Sequence, residues 1–203
     1  MGTGLITNVF RTAQNPFAVL SAMGHLYNVS PGTGIGTTVA GTTTLANTTP
    51  TFHLDIPSGI TCIPVSISLQ QAGTVAGGAI TVIMEVDNAD RYTSGGTAMG
   101  VLNANTGISR VFTDLNSALA FYSTIGSAIT ATNAFGVEIW SPLVGQDVSP
   151  AEGITNELVY TPPAGAPEFI QGPAGLLIYT NASTTAPTWF GRFKIAAFKT
   201  ADL

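Results

Sequence analysis

The chain is poor in groups that carry chemistry, and the few it has fall at short spacings. Its two histidines are His25 and His53. His53 precedes Asp55 by two residues, and alternation along a strand puts both on one face. A Ser-His-Asp relay would also need a serine brought close in space. No Gly-x-Ser-x-Gly elbow is present, so the pair reads as a polar strand face. Glu85, Asp87 and Asp90 lie close together with Asn88 and Arg91. Hard cations take several such oxygens from a short span, which makes the three carboxylates candidate metal ligands. The EF-hand spacing is not met, and the plainer expectation is a strand end and turn with Arg91 paired to one carboxylate. Glu85 and Glu138 are a further pair of the kind that glycoside hydrolysis uses, although nothing in the sequence joins them.

Gly32-Thr33-Gly34-Ile35-Gly36 is glycine-rich, but its third glycine comes one residue too early for a dinucleotide fingerprint and no helix is expected after it. The single cysteine, Cys62, rules out an internal disulfide or a Cys-rich zinc site. It is expected to be inert, on the polar side of its strand. Three Asn-x-Ser/Thr sequons, at Asn28, Asn47 and Asn181, carry no weight without a secretory leader. Met1 to Leu20 has no charged region followed by an apolar one, so no leader is expected. No enzymatic activity and no cofactor are expected.

The elements that would position these residues are mostly strands. Phe52, Leu54 and Ile56 alternate with His53 and Asp55, and Pro57-Ser58-Gly59 turns the chain. Ile63, Val65, Ile67 and Leu69 alternate with neutral residues, and Pro64 marks an edge or a bulge. Ile80, Val82, Met84 and Val86 form the next strand. Further strands are expected over 109–115, 135–140, 154–160, 176–180 and 188–199. In the last of these Trp189, Phe193 and Ile195 share one face and Phe190 takes the other. Asn15 caps and Pro16 opens a short helix or an extended arm. Residues 116–129 are the one plausible longer helix, with Leu119, Tyr122 and Ile125 at three-residue spacing. Short strands with Gly/Pro turns predict an all-β, antiparallel, jelly-roll-like sandwich with at most one helix. Residues 1–50 are expected to form an N-terminal arm and a Thr/Gly-rich loop, and 51–203 the sandwich.

The surface these elements present is unusual. Charged residues make up 8% of the 203, against about 25% in ordinary soluble domains. No Asp, Glu, Lys or Arg occurs from Thr12 to Leu54, or from Ile56 to Met84. The net charge is -5 and there is no basic run, which argues against nucleic acid as a partner. No apolar run reaches the roughly 18 residues of a spanning helix, so no membrane partner is expected. A chain covered with Thr, Ser, Asn, Gly and Ala is expected to bury much of its surface against copies of itself or another protein. Phe10, Phe17, Leu20, Trp189 and Phe190 are the candidate interface residues.

The Thr/Gly/Ala-rich β pattern, the scarcity of charge, the single cysteine and the closing strand Trp189-Phe190-Gly191-Arg192-Phe193-Lys194-Ile195 are similar in character to tailed-bacteriophage capsid decoration (cement) proteins. The resemblance implies a structural virion protein made in the host cytoplasm and placed on the outer capsid surface. It also implies a homotrimer bound to the major capsid protein. It carries over no site residues. A carbohydrate-binding or receptor-binding module of a virion fibre or spike is the alternative. A small β-sandwich enzyme is a third class.

Overall fold

Alternating apolar residues build the molecule, and the computed structural model shows where each alternating face goes. It describes residues 5–12, 14–32, 37–72, 79–123, 129, 136–142, 157–163 and 167–203. The strands form two antiparallel sheets. Sheet A has the order β10 (Glu157–Tyr160), β4 (Ile60–Gln71), β13 (Thr188–Lys199), β1 (Leu26–Ser30), β7 (Gly100–Asn103). The short β11 (Ile170–Gln171) pairs with β4, and β2 (Val39–Ala40) with β13. Sheet B has the order β6 (Thr97–Ala98), β8 (Ala120–Ser123), β3 (Phe52–Ile56), β12 (Ala174–Ala182), β5 (Ile80–Asp87), β9 (Val137–Trp140). β3, β4, β5, β7 and β8 lie in alternate sheets, so the chain repeatedly crosses the sandwich. The fold is the expected all-β antiparallel sandwich.

The core lies between the sheets. Tyr27, Val29, Ile67, Leu69, Phe193 and Ile195 face it from sheet A, and Phe52, Leu54, Val82, Met84, Leu176 and Ile178 from sheet B. Phe193 joins the layers, its ring 5.0 Å from Phe52 and 4.6 Å from Phe121. Each such side chain contributes roughly 1.5–3 kcal/mol when taken out of water.

A second apolar cluster lies on the outer face of sheet A. The register of β4 against β13 shifts between Lys194 and Ile195, where Ser66 pairs with Lys194 and Pro64 with Ile195. Val65 is the extra residue of a bulge. The bulge inverts the phase of the strand. Ile67 and Leu69 point into the main core, whereas Ile63 and Val65 join the outer cluster. The expected single apolar face is thus split in two. The bulge beside Pro64 was anticipated, but β4 is interior rather than an edge.

Two helices cover that outer cluster, one more than expected. In α1 (Leu5–Thr12), Ile6 and Val9 lie three residues apart and are buried against the sheet, in one cluster with Leu20, Leu26, Ile63, Ala196 and Phe198. α2 (Pro16–Ala22) is the helical of the two alternatives its sequence left open. The Asn15 side chain accepts the Ala18 N–H at 3.1 Å and Pro16 occupies the first turn. Past its end Gly24 takes φ 76°, the left-handed value that glycine tolerates.

Three expectations about the elements are corrected. The expected arm is part of the sandwich, because β1 is paired on both sides, with β13 and with β7. A boundary at residue 50 therefore cuts through sheet A. The expected helix over 116–129 is a turn followed by β8. Leu119 N–H bonds back to Asn116 O at 3.1 Å, and β8 pairs with β3. Leu119 and Phe121 are both 1% exposed, a period of two set by the neighbouring strand, which overrides the three-residue spacing. Residues 124–128 lie outside the described residues. The expected strand over 109–115 is a single 3-10 turn at Phe112–Asp114, held by the Val111 N–H donating to Asp114 Oδ2 at 2.7 Å. It places the Phe112 ring 4.9 Å from Tyr27. Residues 143–152, whose sequence reads as a loop, lie wholly outside the described residues.

Candidate functional site

The outer face of sheet B collects most of the chemistry-bearing residues. Across its strands Tyr122 pairs with His53, His53 with Leu177, Leu177 with Glu85, and Glu85 with Glu138. The next row runs through Ala120, Asp55, Gly175 and Asp87. Topology thus places His53, Asp55, Glu85 and Asp87 on one face, as the sequence spacing required. It also brings Glu85 opposite Glu138, which the sequence alone could not do.

The face is covered. His53 is 2% exposed, not solvated as a polar strand face would be. Its ring lies 5.7 Å from Tyr92, and Tyr92 stacks on Tyr122 at 4.4 Å and 14°. A Cβ at Gly175 would sit 2.7 Å from His53 Nε2, so the glycine provides the space the imidazole occupies. His53 Nδ1 has no hydrogen-bond partner among the described residues. Burial pushes its pKa down to about 4, against a smaller upward pull from Asp87. Burial raises Asp55 to about 6, with Asp90 adding to the rise. Glu85 is raised by burial, partly offset by the Gly136 N–H that donates to Oε2 at 3.1 Å. These shifts follow from desolvation, and they describe a covered polar layer rather than an open catalytic cleft.

The acidic residues are placed as the plainer expectation had them. Arg91 pairs with Asp87 as an ion pair, and Asp87 Oδ1 also accepts the Ala89 N–H at 3.0 Å, closing the turn after β5. Among the described residues no three His, Cys, Asp or Glu side chains converge as metal ligands. Glu85, Asp87 and Asp90 do not form such a group. Cys62 is fully buried in the main core, not on a polar face. Burial pushes its thiol far above the ordinary range.

The candidate interface residues separate into two groups. Leu20 and Trp189 are both 0% exposed within their own chain, which removes them from any contact surface. Trp189 belongs to the main core and Leu20 to the helix–sheet cluster. Phe10 and Phe17 are half-buried and meet edge to face at 5.8 Å, with Phe169 against Phe10 at 5.2 Å. Phe190 is half-exposed on the outer face of sheet A.

That outer face holds an open trough of about 960 Å³ beyond the end covered by the helices. Its lining includes Asn28 and Ser30 of β1, Ser66 and Ser68 of β4, Leu102 of β7, and Phe190, Arg192 and Lys194 of β13. The polar positions opposite the core residues of β4 and β13 signalled this surface in the sequence. Their convergence depends on the pairing of strands far apart in the chain.

The chain matches no family model, no curated protein and no solved structure with which it was compared.

Proposed function

We propose that this protein is a structural component of a virus particle, an outer capsid decoration protein that forms a homotrimer and binds the major capsid protein. The observation that carries the reading is the character of the sheet edges. Large apolar side chains stand exposed on terminal strands: Leu102 (72%) on β7, Val159 (54%) on β10 and Val137 (72%) on β9. Monomeric proteins guard such edges with lysine, proline or a covering segment. Here β7, β9 and β10 carry no lysine and no proline, and their charged residues are Glu138 on β9 and Glu157 on β10. Exposed apolar side chains on the edges of a charge-poor chain fit pairing with other protein, and the resemblance in composition supplies the kind of particle.

The test is the mass of the purified chain in sedimentation, followed by its co-sedimentation with tailed-phage capsids. A species at three times 20.8 kDa that pellets with capsids supports the reading. A stable monomer at micromolar concentration that stays in the supernatant overturns it.

A further inference from the structure

The outer face of sheet A is divided in two, and the uncovered half has a distinct chemistry. Helices α1 and α2 seal the end built on Ile63, Ala196 and Phe198. Beyond the bulge the outward positions of β4 are the half-buried Ser66 and Ser68, whose short side chains keep the floor low, and the exposed Gln70 opposite Phe190. Lys194 stands between Ser66 on one side and Asn28 on the other, and Arg192 lies opposite Ser68. Phe190 lines the trough two residues before Arg192, on the same face of β13.

The two cations are exposed and form no ion pair among the described residues. Among the described residues no Asp or Glu lines the trough. They are two of only six basic residues in a chain of net charge -5. An acidic protein that places a third of its cations together, apart from its own carboxylates, has a surface complementary to an anion. The neutral lining adds hydroxyls and an amide that both donate and accept hydrogen bonds. The volume lies near the upper end of small-molecule sites, which suits several linked rings. The lining also includes Val29, Val101 and Leu102, and a mixed apolar and polar lining suits a sugar, whose rings have apolar faces and hydroxyl edges.

We propose that this trough binds an acidic oligosaccharide. Its carboxylates pair with Arg192 and Lys194, its hydroxyls exchange hydrogen bonds with Ser66, Ser68 and Asn28, and one ring face lies on Phe190. Guanidinium–carboxylate pairing is the strongest of these contacts. The proposal does not rest on the particle role, although Leu102 both lines the trough and stands on an edge strand offered as a contact, and the Arg192 and Lys194 variants leave that edge unchanged.

Titration calorimetry of the full chain against tri-galacturonate, maltotriose and a hexaglutamate peptide tests the assignment. Tri-galacturonate is expected to bind, more weakly as salt rises. The double variant Arg192→Gln/Lys194→Gln is expected to lose at least about tenfold in affinity. Phe190→Ala is expected to weaken binding while leaving the salt dependence in place. Both variants alter side chains outside the core, and an unchanged thermal midpoint confirms that they fold. Equal binding of maltotriose, tighter binding of hexaglutamate, indifference to the double substitution, or no binding of tri-galacturonate by the wild type would each overturn the proposal.

Discussion

Cys62 and His53 show how burial changes what a residue type can do. Cys62 lies in the main core with its thiol driven well up by desolvation, so thiolate is scarce and access is closed. A maleimide or disulfide probe is expected to modify it only as fast as the chain unfolds. Labelling at the rate of a free peptide in native buffer would contradict the core placement. Cys62→Ser leaves a hydroxyl among apolar side chains and is expected to lower stability by roughly 1–3 kcal/mol, read from urea unfolding. His53 makes stability depend on pH. Its pKa is held at about 4 in the folded chain and is 6.5 when unfolded. Between those values the unfolded state takes up a proton that the folded state refuses. Stability from this group is therefore lost as pH falls from 6.5 towards 4, by at most on the order of 3 kcal/mol. Asp55, raised to about 6 from 3.8, acts in the opposite sense. Its contribution is present below 3.8 and is lost as pH rises through 6. Asp87 and Asp90 also act on these two groups, so the wild-type curve alone mixes the terms. The wild-type minus His53→Gln difference isolates the histidine and is expected to shrink on acidification from pH 6.5 to 4. A difference that does not change with pH would show that His53 is not desolvated.

At the scale of elements, the N-terminal helices act as a cover and not as a free arm. α1 and α2 bury Ile6, Val9 and Leu20 against Ile63, Ala196 and Phe198. Removing residues 1–24 keeps β1 but uncovers this patch. The loss is expected to exceed about 3 kcal/mol, since burying each large apolar side chain is worth roughly 1.5–3 kcal/mol. Urea unfolding measures the loss, and a rise in binding of a hydrophobic dye shows the uncovered face. A truncated chain as stable as wild type would mean that the helices are dispensable appendages. Removing residues 1–30 is a different experiment, because it also takes β1 from between β13 and β7. Within α2, Asn15→Ala removes the side-chain acceptor for the Ala18 N–H and is expected to cost about 1 kcal/mol.

At the scale of the molecule, the proposed self-association would rest on strand edges rather than on ion pairs. Among the described residues one salt bridge is present, Arg91 with Asp87, and it is internal. Exposed ion pairs contribute only about 0–1 kcal/mol each, whereas edge pairing adds main-chain hydrogen bonds and apolar burial. Self-association is therefore expected to persist at high salt, in contrast to ligand binding at the Arg192–Lys194 trough. The paired substitution Leu102→Lys and Val159→Lys, both at exposed positions on terminal strands, is expected to shift the proposed assembly to monomer while circular dichroism shows the strands intact, with any fall in the thermal midpoint limited to the loss of the subunit contacts. Sedimentation in low and high salt measures both effects. Dissociation of the wild type by salt, or assembly unaffected by the lysines, would remove the edges as the contact.

The sequence by itself determined the class of fold, because alternation along Phe52–Ile56, Ile80–Val86 and Thr188–Lys199 is a local property that strand geometry reads directly. It also determined the opposite facing of Trp189 and Phe190, set by alternation along the strand, whereas at Asn15-Pro16 it left a capped helix and an extended arm both open. Tertiary structure decided what lay on the other side of each face. Residues 120–123 became a strand because β3 offered a partner, against a helix-like spacing. Val65 shifted the register of β4 and sent Ile63 to a second cluster that the N-terminal helices then filled. Tyr92 and Tyr122 covered His53, although alternation alone had put it on a polar face. Strand pairing also set Lys194 between Ser66 and Asn28, and Glu85 opposite Glu138. Spacing along a strand fixes which residues share a face, but burial, charge environment and convergence depend on segments far away in sequence. Those segments meet only when the two sheets close on their core.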